Sequence, residues 1–278
     1  MKINFGLGIS DYRLRGGGLD PDYQAVLTYA QSQGFTLPSA AEQVIANQLM
    51  VDLKAASSTG LSGYGLIKIY ATNINYGGSI PANLGYTGIN WASVGNNQST
   101  RTNTITQTVK EGYSSDGATA YISETFGLGD LPQNDVFNSL YSFNLTGNCR
   151  NGVIDGGVTN GHLLQWNGTE WQMLLNGPLI SKTRSSAGDN VFVSLVRTSS
   201  SNVSFYINGI KDSDSSNTSA PPLSNNDESM SVLVLPSTRV VQEAGNILSI
   251  RIKGKASEVN QLSLYTAINN YLTALSAL

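Results

Sequence analysis

The chain has 278 residues, 40% of them hydrophobic and only 13% charged, with a net charge of -3 and an isoelectric point near 5.1. That length and apolar content can build one large domain, or a domain with an appendage. The charged share is roughly half the usual one, so Ser, Thr, Asn and Gly carry most of the surface. No basic stripe appears, which argues against a nucleic-acid partner, because phosphate binding needs clustered Lys and Arg.

Cys149 is the only cysteine. An internal disulfide, a redox pair and a Cys/His zinc set are therefore excluded, and no cofactor is expected. The opening MKINFGLGIS lacks the roughly 7 to 15 apolar residues of a signal peptide. No run reaches the roughly 18 apolar residues of a membrane span, so assembly in the cytoplasm without membrane insertion is expected.

Residues 1–19 cannot form a core of their own and read as an extended attachment arm. Phe5, Leu7 and Ile9 alternate like a strand seeking an edge, Arg13 and Arg15 follow, and three glycines at 16–18 form a hinge. A disordered terminus is the plainer alternative. Residues 20–56 then read as a helical hairpin. Asp20 caps the first helix, Pro21 and Asp22 suit its first turn, and Gly34 stops it. Ser39 and Glu42 have the spacing of a capping box for the second helix, and Val44, Ile45, Leu49 and Leu53 mark its apolar face. Two helices this short need something to pack on, so the pair is either a plain hairpin on a β domain or a docking element.

Residues 57–99 read as a connector or as the first strands, with a strand expected over 66–71 and a domain boundary near 99. From 100 onward the period becomes two. Runs at 104–110, 120–126, 161–166, 171–175, 190–196, 202–207, 231–235 and 247–253 are bounded by turn formers, which predicts a mainly β sandwich. Asn167-Gly168 and Asn208-Gly209 are hairpin-turn candidates, because this pair readily takes the positive φ of tight turns. Ser257 is placed to cap a C-terminal helix with an apolar face of Leu264, Ile268, Tyr271 and Leu272.

Several segments carry a resemblance. YQAVLTYAQSQGFTLPSAAEQVIANQLMVDLKAA, GINW at 88–91, EGYSSDGATAYISETF at 111–126, LVRTSSSNVSFYINGIKDS at 195–213 and EVNQLSLYTAINNYLTAL at 258–275 occur in the order seen in a family of phage and prophage proteins of Bacteroidetes-type bacteria. The chain resembles that family over most of residues 20–278. The resemblance implies a virion surface protein, a spike, head fibre or tail fibre, with a C-terminal concanavalin A-like or laminin G-like jelly roll that contacts host-surface glycans. It brings no catalytic or binding residues with it. Residues 1–19 fall outside it and are expected to meet other virion proteins. By fibre analogy alone, a homo-oligomer and specifically a trimer is expected.

Other functions leave weaker marks. A glycan hydrolase needs two carboxylates about 5 to 9 Å apart. A strand would place them two residues apart, yet Glu111, Glu124, Glu170 and Glu243 each lack such an acidic neighbour, and Asp227-Glu228 would point to opposite faces. Carboxylates from distant strands could still converge. His162 is the sole histidine and has no nucleophile motif beside it. Asp212, Ser213 and Asp214 make a sparse oxygen cluster without the remaining features of a calcium loop, so no metal is expected. Trp166 and Trp171 would face each other across a hairpin, as core if turned inward or, if turned outward, as a sugar-stacking surface beside Gln165, Asn167 and Gln172. A glycan-contacting virion protein is thus the first reading, a purely structural capsid or tail component the second, and a glycan-degrading enzyme the third.

Overall fold

The computed structural model describes residues 18–116, 119–124, 126, 131–144, 148–154, 161–167, 169–175, 177–183, 190–216, 230–232 and 247–278. The expected arm residues Phe5, Leu7, Ile9, Arg13 and Arg15 lie outside these, as do Asp227, Glu228 and Glu243.

Helix α1 (Pro21–Ser32) begins as its sequence predicts. The Asp20 carboxylate accepts from the Asp22 amide at 3.0 Å, with Pro21 at the first helical position. Helix α2 (Ala40–Ala56) is capped by Ser39 Oγ, which accepts from the Glu42 amide at 3.2 Å. The other half of the capping box is not made. Glu42 turns inward instead, fully buried, and accepts from Thr72 Oγ1 at 2.6 Å and from the Asn73 amide at 3.1 Å. The buried stripe of α2 accordingly runs through Ala46, Leu49, Met50 and Leu53, and leaves Val44 and Ile45 only half-buried. At the far end of α2, Lys54 reaches Asp20 at 3.1 Å and Asp22 at 2.6 Å. One contact thereby complements the positive start of α1 and the negative end of α2.

Strand β1 (Tyr64–Ile69) starts two residues earlier than the expected run and pairs with β15 (Ile247–Gly254). Between them come β2 (Ser99–Thr102), β3 (Thr106–Thr108), β4 (Gly112–Ser114), β5 (Tyr121–Glu124), β6 (Val136–Phe143), β7 (Asn148–Ile154), β8 (Gly161–Asn167), β9 (Glu170–Leu175), β10 (Ile180–Thr183), β11 (Val191–Arg197), β12 (Asn202–Ile207), β13 (Ile210–Ser216) and β14 (Met230–Val232). Among the described residues they form two antiparallel sheets. The larger follows the order β13-β12-β11-β6-β15-β4-β3, with β1 also on β15, and the smaller β10-β9-β8-β7-β14-β5-β2. The fold is mainly β. Residues 57–99 supply a full strand of the larger sheet and the start of β2, so the chain crosses position 99 inside the sheets.

Leu66, Leu140 and Leu195 of the larger sheet share one apolar cluster with Ile122, Leu164 and Met173 of the smaller. The opposite face of the larger sheet, with Ile67, Phe137, Phe192 and Ile252, packs on the helices. The result is three layers: helices, larger sheet, smaller sheet. Tyr23 on α1 fastens the helical layer, with its hydroxyl 3.2 Å from that of Tyr86 and its ring 5.4 Å from Trp91.

Helix α3 (Gln261–Ser276) buries Leu264, Ile268, Tyr271 and Leu272 as expected, but its cap is Asn260, whose side chain accepts from the Ser263 amide at 3.0 Å. Ser257 lies before the helix, where its amide and hydroxyl both donate to Asp135, each at 2.7 Å. The Asn208-Gly209 turn forms as predicted, with φ of 50° and 76°, and closes the β12–β13 hairpin with Ile207 opposite Ile210. A Cβ on Gly209 would come within 2.8 Å of Leu262 Cα on α3.

Two measurements follow from these contacts. Gly209→Ala should lose about 1 to 3 kcal/mol in denaturant unfolding, and an unchanged midpoint would contradict the tight turn. Burial raises the Glu42 carboxyl above its ordinary 4.5, against the lowering effect of its bonds to Thr72 and Asn73. The folded state then holds this proton more tightly than the unfolded one, so the stability it contributes is complete below the unfolded pKa and is lost as pH rises through the raised one. The melting temperature of Glu42→Gln relative to wild type should climb as pH rises above 4.5; a constant difference would refute the buried carboxylate.

Candidate functional site

The β8–β9 hairpin sets Trp166 opposite Trp171, with ring centroids 5.6 Å apart. Each ring is 1% exposed, and Trp171 also meets Phe205 of the larger sheet at 6.2 Å. The pair packs between the sheets, so the outward stacking surface does not form and neither tryptophan can hold a sugar ring. Alternation along the strand explains this: Trp166 shares its face with Leu164, and Trp171 shares its own with Met173. Asn167 ends β8 in register with Asn148, and its side chain lies outside the described residues.

The residues between the tryptophans in the pleat point the other way, to the outer face of the smaller sheet. There Gln165 Nε2 donates to Gln172 Oε1 at 3.0 Å, and Gln172 Nε2 donates to Glu170 Oε1 at 3.0 Å. Gln165 is buried, whereas Gln172 and Glu170 are half-exposed. On the edge strand β10, exposed Ser181 stands opposite Gln172 and exposed Thr183 opposite Glu170. A primary amide carries two N–H donors and two acceptor lone pairs, so Gln172 keeps capacity for a ligand while the chain of bonds holds its orientation. Such a strip suits the hydroxyls of a neutral polar ligand. The sequence alone does not bring Ser181 and Thr183 to this hairpin, because the short β10 run, ISKT, carries no strong strand signal of its own.

A second polar group lies between the sheets. Glu124 meets Arg251 at 2.7 Å and accepts from the Tyr70 hydroxyl at 2.6 Å, all three fully buried. Lys68 donates to the carbonyls of Gly88 at 2.7 Å and Asn97 at 2.5 Å, and burial lowers its ammonium to about 7. No solvent reaches these groups, so they serve no substrate from outside.

Among the described residues the remaining carboxylates other than Glu111 are engaged locally. Asp52 accepts from Gln48, Asp116 from the Thr119 and Ala120 amides, Asp135 from Ser257, and Glu258 from Lys255 and Thr59. Asp214 pairs with Lys211 at 2.6 Å, and Asp212 accepts from Ser213. Among the described residues no group of three His, Cys, Asp or Glu could hold a metal ion, and no helix is long and apolar enough to cross a membrane. Cys149 and His162 lie on neighbouring strands, but in register with Trp166 and Val153 respectively, not with each other.

No family model matches the chain, and no curated protein matches it. Solved structures do share the fold. A Trypanosoma rangeli sialidase mutant displaying trans-sialidase activity superposes with a TM-score of 0.53 at 12% identity, over 89% of this chain and 39% of that one. The botulinum neurotoxin serotype D binding domain gives 0.51 at 9% identity, over 75% and 52%. The receptor binding domain of the mosaic serotype C/D neurotoxin gives 0.52 at 11%, over 74% and 51%. The chain thus spans about two-fifths to about half the length of these proteins. At such identities the likeness concerns the fold alone.

If the tryptophan pair is core, Trp171→Ala should cost about 3 to 5 kcal/mol of stability. A loss below about 1 kcal/mol in chemical denaturation, the usual range for an exposed residue, would restore the outward reading.

Proposed function

We propose that this chain is a phage virion surface protein, a spike or fibre component, whose jelly-roll sandwich of the concanavalin A-like type contacts host-surface glycans without degrading them. The observation that carries the reading is the ordered strip Gln165–Gln172–Glu170 with Ser181 and Thr183 beside it on the outer face of the smaller sheet. Fixed amides and hydroxyls on a rigid sheet are suited to neutral sugar hydroxyls, which need several directed hydrogen bonds and no charge. Binding without catalysis is supported by the carboxylates, since Glu111 aside each described one is hydrogen-bonded or ion-paired in its own neighbourhood. The resemblance to phage proteins over most of residues 20–278 supports the virion setting, with residues 1–19 meeting other virion proteins and copies joining in a homo-oligomer.

The full chain applied to a glycan array should retain one class of neutral host glycan and block phage adsorption to cells. Gln172→Ala should weaken that binding at least about tenfold while the far-UV circular dichroism stays that of the folded chain. Absence of binding to every host-surface fraction would favour the purely structural role, and turnover of a host polysaccharide would overturn the non-enzymatic reading.

A further inference from the structure

Between the sheets, the register of the larger sheet sets Lys253 on β15 directly opposite Asn138 on β6. Both are 0% exposed. Opposed residues on antiparallel strands hold their Cβ atoms about 5 Å apart on the same face, a gap that a lysine side chain spans. The Asn138 amide has no hydrogen-bond partner at either Oδ1 or Nδ2, an arrangement that costs stability in a core unless the group has a chemical role. Leu195 and Phe126 belong to the same interior, with Leu195 in register with Asn138 on its other side and the Phe126 ring centred 5.9 Å from Lys253 Nζ.

The facing sheet contributes a carboxylate. Glu124 on β5 is fully buried and meets Arg251 at 2.7 Å. Arg251 and Lys253 are two apart on β15 and so share a face, and the Glu124 charge that meets Arg251 also acts on Lys253. We infer that Lys253 and Asn138 join in an intramolecular isopeptide bond, formed by the folded chain itself with Glu124 as the proton carrier.

The chemistry closes without any added reactant. The Lys253 Nζ lone pair attacks Asn138 Cγ and forms the new C–N bond, giving a tetrahedral centre. Glu124 takes a proton from the attacking nitrogen and passes it to Asn138 Nδ2. The Cγ–Nδ2 bond then breaks and ammonia leaves, so that one amide replaces another and the carboxylate returns to its starting state. An attacking amine must be neutral, and burial, reinforced by Arg251, lowers the Lys253 ammonium well below its usual range. The dry interior also keeps water from hydrolysing the product. The resulting cross-link would tie β6 to β15, neighbours in the middle of the larger sheet.

Intact-mass spectrometry of the full chain, purified folded and then denatured, tests this directly. The expected mass lies below the sequence mass by one ammonia, about 17 Da, and digestion should release a single branched peptide containing Asn138 and Lys253. Succinimide formation at any of the five Asn-Gly pairs would remove the same mass, so the branched peptide decides the assignment. Lys253→Met should keep its full sequence mass, and Glu124→Gln should form the bond at least about tenfold more slowly, while its circular dichroism stays native. A wild-type chain at full mass, or a loss mapped elsewhere, overturns the bond. Bond formation at the wild-type rate in Glu124→Gln overturns the role of the acid.

Discussion

The centre of the larger sheet has no wet face. Helices cover one side and the smaller sheet covers the other, so β6, β11 and β15 are buried along nearly their whole lengths. Two apolar layers instead of one form on this sheet, and both must be completed for either to be dry. Every polar side chain carried into these layers needs an internal partner, because an unpaired charge there costs far more than a pair repays. The Glu124–Arg251–Tyr70 group and the two carbonyls that receive Lys68 meet this need. Arg197 does so as well, bonding the Leu175 carbonyl at 2.8 Å and thereby linking β11 of one sheet to β9 of the other.

The same constraint decides what could be read from the sequence. Strands with one solvent face show a period of two, as β9 does where half-exposed Glu170 and Gln172 alternate with buried Trp171 and Met173. The β6 stretch VFNSLYSF mixes Asn138, Ser139 and Ser142 among apolar residues on both faces, so its alternation disappears although it lies at the centre of the sheet. Local signals were legible where local geometry rules, as at the Asp20 cap and the Asn208-Gly209 turn. They misled where a distant partner competes. Glu42 has the spacing of a capping box, but Thr72 and Asn73 offer it buried bonds, and Ser257 yields the helix cap to Asn260 because Asp135 holds it. For the candidate site, the hairpin was legible and the face was not: which side of β8 meets the other sheet depends on the assembled sandwich.

Low charge takes on a more specific meaning in this fold. Glu42, Lys68, Glu124, Arg197, Arg251 and Lys253 are all buried, which draws further charge away from a surface already short of it. What remains outside is dominated by hydroxyls and amides on turns and edges. The edge strand β13 is an instructive exception, since Lys211, Asp212 and Asp214 are concentrated there. Charges on an exposed strand edge discourage pairing with another chain.

The layer order also gives the molecule a direction. Residue 18 leads directly into α1, on the helical side of the larger sheet, whereas Gln172, Ser181 and Thr183 belong to the outer face of the smaller sheet, beyond two intervening layers. A chain held by what precedes α1 would therefore present the amide strip away from its attachment. The helical pair contributes to this by filling the face of the larger sheet next to residue 18. Glu42 and Tyr23 hold it there through contacts to the 72–73 loop and to Tyr86, while Lys54 joins its two helices. Residues 20–56 act in this arrangement as the rigid base of the sandwich, and the direction in which the amide strip points follows from how firmly that base is seated.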